Sequence, residues 1–272
     1  MSIRIIAEAG VNHNGSIALA KQMVDQARAA GADYIKFQTF DPKALVSRYA
    51  EKAEYQKETT GSGESQLEML EKLALTQDEF LELKNYCEQQ KIGFLSTPFD
   101  LESIDFLETL QMDFWKIPSG EITNLPYLVR IARTGREIVM STGMCSIADI
   151  EAAIAVLREN GAGAITLLHC NTQYPTPMED VNLRVMDTLR EHFGVPVGYS
   201  DHTVGIEVPI AAAALGACVI EKHFTLDHAM EGPDHRASLE PDELRAMVAA
   251  VRHIEVALGD SAKVVTASES GN

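Results

Sequence analysis

With 272 residues, 46% of them hydrophobic and 23% charged, the chain has the make-up of one large globular domain carrying enough apolar side chains for a sizeable core. Its formal net charge of -17 argues against a nucleic-acid binder, because phosphate backbones demand a basic footprint, and equally against an anionic membrane surface. No apolar run approaches the ~20 residues of a membrane span, and Met1-Ser2-Ile3-Arg4 leads into a strand pattern without a signal-peptide core.

Taken in chain order, residues 3–9 predict a first strand, and Ile17, Ala20, Val24 and Ala27 then repeat at helical spacing before a second strand at 34–39. Residues 41–65 break that rhythm. They are polar, rich in Lys, Glu, Thr and Gly, and too long for a standard βα connection, so an active-site flap is expected there. Thr76-Gln77-Asp78-Glu79 reads as a capping box opening the next helix, followed by strands at 93–97, 114–118 and 138–142. Ser146-Ile147-Ala148-Asp149 is a second such box, and strands at 164–170, 196–199 and 218–224 complete the series. Pro241 suits a first helical position ahead of Leu244, Met247, Val248, Val251 and Ile254. Residues 261–272 have no periodicity and read as a tail or linker.

Eight strands alternating with helices mean a parallel sheet, and eight units in ~250 residues fit a closed (β/α)8 TIM barrel better than an open doubly wound sheet. The expected organisation is therefore one α/β barrel over residues 1–260 and a tail over 261–272. Cys87, Cys145, Cys170 and Cys218 show no C-x-x-C spacing, which points to reduced thiols and a cytoplasmic home.

In such a barrel, chemistry collects at the carboxyl ends of the strands. Polar residues stand at all eight predicted ends, among them Glu8, Gln38, Thr97, Ser119, Glu121, Ser141, Asn171 and Ser200. Lys36 and Lys116 alternate with apolar neighbours, so both can face the mouth and hold an anion, with Ser119 and Ser141 as hydroxyl donors. The competing reading makes each a snorkelling surface lysine. His202 and His223 end neighbouring strands and can share one divalent cation, leaving positions open for water and a substrate carbonyl. Glu8, Glu121 and Asp234 are candidates to position sugar hydroxyls or move protons, unless they form salt bridges at the rim. Arg236, in the turn-rich run Glu231-Gly232-Pro233-Asp234-His235-Arg236, adds positive charge or caps that loop.

The strings A-E-A-G-V-N-H-N-G, K-F-Q-T-F, F-L-S-T-P-F, K-I-P-S-G-E-I-T-N-L-P, S-T-G-M, H-C-N-T-Q-Y-P-T-P, G-Y-S-D-H-T-V-G and E-K-H-F-T fall between Ala7 and Thr225 and carry a resemblance that covers Ile3 to about Asp260. Together they resemble the sialic acid synthases, meaning N-acetylneuraminate synthase and its legionaminic and pseudaminic relatives. The resemblance implies condensation of phosphoenolpyruvate with an N-acylated mannosamine-type sugar and water to a nonulosonic acid and phosphate. It assigns Lys36, Thr97, Lys116, Ser119, Ser141, Asn171 and Ser200 to phosphoenolpyruvate. Gln38, Glu121, Tyr174 and Asp234 fall to the sugar, and Glu8 to a place near the reacting atoms. His202 and His223 are assigned to a divalent metal, Mn2+ or Mg2+. The family continues into a small antifreeze-like domain that reaches across a dimer. Here the run V-V-T-A-S-E-S-G-N resembles the start of that linker, so a barrel-only form is expected and a homodimer stays open. Two rival readings are a Schiff-base aldolase using Lys36 or Lys116 and a non-catalytic sugar or phosphoenolpyruvate-binding barrel.

Overall fold

The computed structural model describes residues 2–47, 49–52, 63 and 65–270. Eight parallel strands follow the chain: β1 (Arg4–Gly10), β2 (Tyr34–Thr39), β3 (Gly93–Pro98), β4 (Trp115–Ile117), β5 (Ile138–Ser141), β6 (Ile165–His169), β7 (Val197–Asp201) and β8 (Val219–His223). Their ladder runs β3-β2-β1-β8-β7-β6-β5-β4. β3 and β4 lie side by side without a paired ladder, and the Ser96 N–H donates to Met112 Sδ at 3.1 Å instead. The result is the expected (β/α)8 barrel, nearly closed, with one seam.

The strands are buried on both faces because side chains of one set fill the barrel while the alternate set meets the surrounding helices. Helix starts follow local chemistry. Thr76 Oγ1 accepts from Glu79 N at 3.3 Å while Glu79 Oε2 accepts from Thr76 N at 2.8 Å, and Ser146 and Asp149 make the same reciprocal pair. Pro241 opens the last helix, Pro241–Leu258, whose apolar stripe of Leu244, Met247, Val248 and Val251 packs on the barrel. Beyond it, residues 259–270 form neither helix nor strand.

Strand limits differ from expectation by at most two residues, and β2 matches at both ends. β4 is shorter at both ends, and β7 extends to Asp201, two residues further than its apolar run. That extension brings Ser200 into the ladder opposite Glu221. The expected flap lies in part outside the described residues. Within it, Pro42–Leu45 forms a short helix capped by Asp41. After it comes a helix at Gln66–Leu73, begun by a Ser65/Glu68 capping box. Its Met69, Leu70 and Leu73 join Val11 and Phe40 in a small apolar cluster separate from the main core.

Candidate active site

The mouth holds a cavity of about 290 Å³ to which all eight strand ends contribute. Period-two alternation decides which side chains enter it: Lys36 with Gln38, Ser200 with His202, and Glu221 with His223 face inward, while the residue between each pair faces the helices. Lys36 and Lys116 are each only 3% exposed, which rules out the snorkelling reading.

A buried network of charges forms the floor. Lys36 Nζ lies 2.6 Å from Glu8 Oε2, donates to Thr97 Oγ1 at 3.0 Å and stands 3.7 Å from Glu221 Oε2. Lys116 Nζ donates to Ser141 Oγ at 2.7 Å and stands 3.6 Å from Glu221 Oε1, which also accepts from Ser200 Oγ at 2.9 Å. Glu221 thus sits between two ammonium groups. Burial opposes its charge, yet Lys116 and Lys36 hold its carboxyl down to about 2. Glu8 behaves oppositely: burial drives its carboxyl up to about 7 against the pull of Lys36, with Glu221 adding repulsion. Burial lowers the Lys116 ammonium, while Lys36, although equally buried, is raised by Glu221 and Glu8.

Opposite the lysines stand the two imidazoles, ring centroids 5.2 Å apart, with the Tyr174 ring 4.1 Å from His202 and 5.5 Å from His223. His202 Nδ1 donates to the Asn171 carbonyl at 2.6 Å, which leaves the lone pair on Nε2. Burial pushes His202 down to about 4, and His223 well below its ordinary value, so both rings are neutral at neutral pH. His223 Nδ1 is buried without a hydrogen-bond partner. Two neutral rings, one carrying an orphaned nitrogen, are the donors a divalent cation takes. Among the described residues no cluster of three His, Cys, Asp or Glu converges on one point, so such an ion would complete its shell from water or substrate.

Twelve of the fourteen candidate residues line the cavity, namely Glu8, Lys36, Gln38, Thr97, Lys116, Ser119, Ser141, Tyr174, Ser200, His202, His223 and Asp234. Two do not. Glu121 lies in the turn Ser119–Glu121, where its carboxylate accepts from Asn124 Nδ2 at 2.6 Å. The Asn171 side chain accepts from Gln173 N at 2.7 Å, so its link to the site is the backbone carbonyl that orients His202. Arg236 is exposed and adds no charge to the cavity. Asp234 is buried, which raises its carboxyl to about 6.

Glu221 was not singled out by the sequence reading, although its signal was present: if His223 faces inward, the residue two before it must as well. Cys170 also reaches the wall, its Sγ 3.4 Å from Ser119 Oγ. The remaining side is apolar, formed by Val11, Met69, Leu70, Leu73 and Phe99.

A family model described as the NeuB family matches residues 23–263. The chain is 54% identical over 270 residues to the N,N'-diacetyllegionaminic acid synthase of Campylobacter jejuni, covering 98% of this chain and 81% of that protein. It is 47% identical to the enzyme of the same name from Legionella pneumophila, over 97% of this chain and 75% of the relative. Among solved structures, the N-acetylneuraminic acid synthetase of Leptospira borgpetersenii in complex with citrate superposes with a TM-score of 0.87 at 34% identity, covering 100% of this chain and 90% of that one. A match over most of the chain, on a barrel whose mouth carries this cluster, makes the chain a member of the NeuB family.

Proposed function

We propose that the protein condenses phosphoenolpyruvate with an N-acylated mannosamine-type sugar and water, releasing a nonulosonic acid and phosphate. The observation that carries this reading is the meeting of two buried lysines and two neutral imidazoles in one cavity, since the reaction needs an anion clamp beside a site for carbonyl activation. Lys36 and Lys116 hold the phosphate and carboxylate of phosphoenolpyruvate, with Thr97, Ser119, Ser141 and Ser200 as hydroxyl donors. Gln38, Tyr174 and Asp234 face the sugar, and the apolar side takes its acyl or deoxy substituents.

His202 and His223 would hold Mn2+ or Mg2+, which when bound supplies Lewis-acid polarisation of the sugar aldehyde. The clamp fixes C3 of phosphoenolpyruvate against that carbonyl carbon, and the new C–C bond forms as the aldehyde oxygen takes a proton. Water then adds at C2 and gives up one proton, and the tetrahedral centre collapses to the ketone, its hydroxyl passing the second proton to the phosphate that leaves with the bridging oxygen. Glu8, held near 7, is suited to accept a proton in one step and return it in the other.

The ion pairs of Lys36 and its raised pKa keep it cationic, which disfavours it as a Schiff-base nucleophile. Lys116 is tested by borohydride with a carbonyl substrate, where the proposed chemistry leaves no adduct. Residues 1–260 form the catalytic unit in this reading and 261–272 a linker-like tail, in a cytoplasmic protein with four free thiols. A homodimer is its oligomeric expectation, tested by light scattering.

The decisive assay is phosphate release from phosphoenolpyruvate across a panel of N-acylmannosamines. Activity is expected to vanish on chelation, to return with Mn2+, and to be lost in His223→Ala; full activity after rigorous chelation would overturn the reading.

A further inference from the structure

Behind the two imidazoles lies a second charged cluster that the cavity does not reach. Asp201, Lys222 and Thr203 are each 0% exposed. Asp201 immediately precedes His202, and Lys222 immediately precedes His223. Strand alternation sends both away from the cavity, so neither touches a bound substrate.

Their hydrogen bonds enclose the backbone of His202. Asp201 Oδ1 accepts from Thr203 N at 3.2 Å and from Thr203 Oγ1 at 3.0 Å, closing a loop with His202 at its apex. Lys222 Nζ reaches across from β8 and donates to Asp201 Oδ2 and to the Thr203 carbonyl, each at 2.5 Å. One ammonium group therefore joins both sides of the His202 turn to the residue just before His223. The cluster stands where the ladder stops, because Asp201↔Lys222 is the last β7–β8 pair. Past that point His223 pairs with Glu8 on β1, and the His202 carbonyl accepts from Thr176 N at 2.9 Å. Asp201 and Lys222 are thus the last side chains paired across β7 and β8 before the two rings.

We propose that Asp201, Lys222 and Thr203 are positioning residues that set the separation of His202 and His223 for a shared divalent cation. The inference rests on the reading of those imidazoles as metal ligands. A pair of apolar side chains would fill the same volume but could not bind both edges of the turn. A role confined to stability predicts that apolar replacement of the ion pair leaves the two rings as they were.

The test is Mn2+ titration of the full chain, followed by the electron paramagnetic resonance of the free ion, on the parent, Thr203→Val, and the double variant Asp201→Leu/Lys222→Met. Thermal unfolding and phosphoenolpyruvate affinity without metal are measured in parallel, and His223→Ala locates the bound ion. Both test variants are expected to keep the phosphoenolpyruvate affinity of the parent and to bind Mn2+ about tenfold or more weakly. A folded variant with the Mn2+ affinity of the parent would overturn the proposal. If the double variant does not fold, Thr203→Val decides alone, since it removes one hydroxyl and keeps the ion pair. Failure of the parent to bind Mn2+, or unchanged binding in His223→Ala, would remove the two-imidazole reading together with this one. Binding that His223→Ala abolishes and the test variants share equally with the parent would remove the clamp alone.

Discussion

At the scale of single residues the site is a balance among charges that water cannot reach. In the proposed function Lys116 makes a charge-assisted contact to the bound anion, a kind of contact worth about 1.5–3 kcal/mol. Lys116→Met is therefore expected to weaken phosphoenolpyruvate binding roughly tenfold to a hundredfold, as read by titration calorimetry. His13 provides a separate, stability-based check. Burial lowers its imidazole from 6.5 to about 4, and its Nδ1 accepts from Gly15 N at 3.1 Å. The unfolded chain takes up a proton near 6.5 that the folded chain refuses until about 4, so this contribution to stability is complete above 6.5 and lost as pH falls through that window. An asparagine can offer Gly15 the same acceptor without titrating. His13→Asn should thus lose about 2 kcal/mol less than the parent between pH 7.5 and pH 5 in urea unfolding. Equal losses would show that His13 does not titrate as its burial implies.

Among the elements, the helix Gln66–Leu73 is the one that the proposed function ties to substrate choice, because its Met69, Leu70 and Leu73 form much of the apolar side of the cavity. It rests on the β1 loop at Gly15, whose φ is +70° and whose missing Cβ leaves room for the Lys72 carbonyl. Gly15→Ala combines left-handed strain with a backbone clash. It should destabilise the fold by about 1–3 kcal/mol and raise KM for the sugar more than KM for phosphoenolpyruvate. Steady-state kinetics with each substrate varied in turn would check this, and an equal rise in both would separate the helix from sugar recognition. The helix was not anticipated, although Met69, Leu70 and Leu73 carry helical spacing, because the polar run before it drew the reading toward one long flap. The strands were legible for a physical reason. Parallel strands buried on both faces appear as short apolar runs, and the helices between them announce themselves by capping boxes at Thr76 and Ser146. Inward-facing residues could be counted off by twos from His202 and His223, and that rule also reaches Glu221. It failed at Glu121 and Asn171, which lie past the ends of β4 and β6, where the chain turns and the period of two no longer applies.

For the molecule as a whole, closure of eight strands brings residues from Glu8 to Asp234 to one rim, a convergence that no local pattern contains. The two imidazoles were legible as a pair only once the barrel was assumed, since β7 and β8 become neighbours through the fold. The buried lysines also have a consequence for kinetics. They lie at the bottom of a well in a protein whose formal net charge is -17. An approaching trianion is repelled by the outer shell and attracted only over the last few ångströms, well inside the screening distance of about 8 Å at physiological salt. Added salt should then hasten capture, contrary to the slowing seen when a ligand is steered in by opposite charge. Stopped-flow association of phosphoenolpyruvate at low and moderate ionic strength is expected to show a rising on-rate with a nearly constant off-rate. A falling on-rate would mean that the lysine field extends beyond the rim.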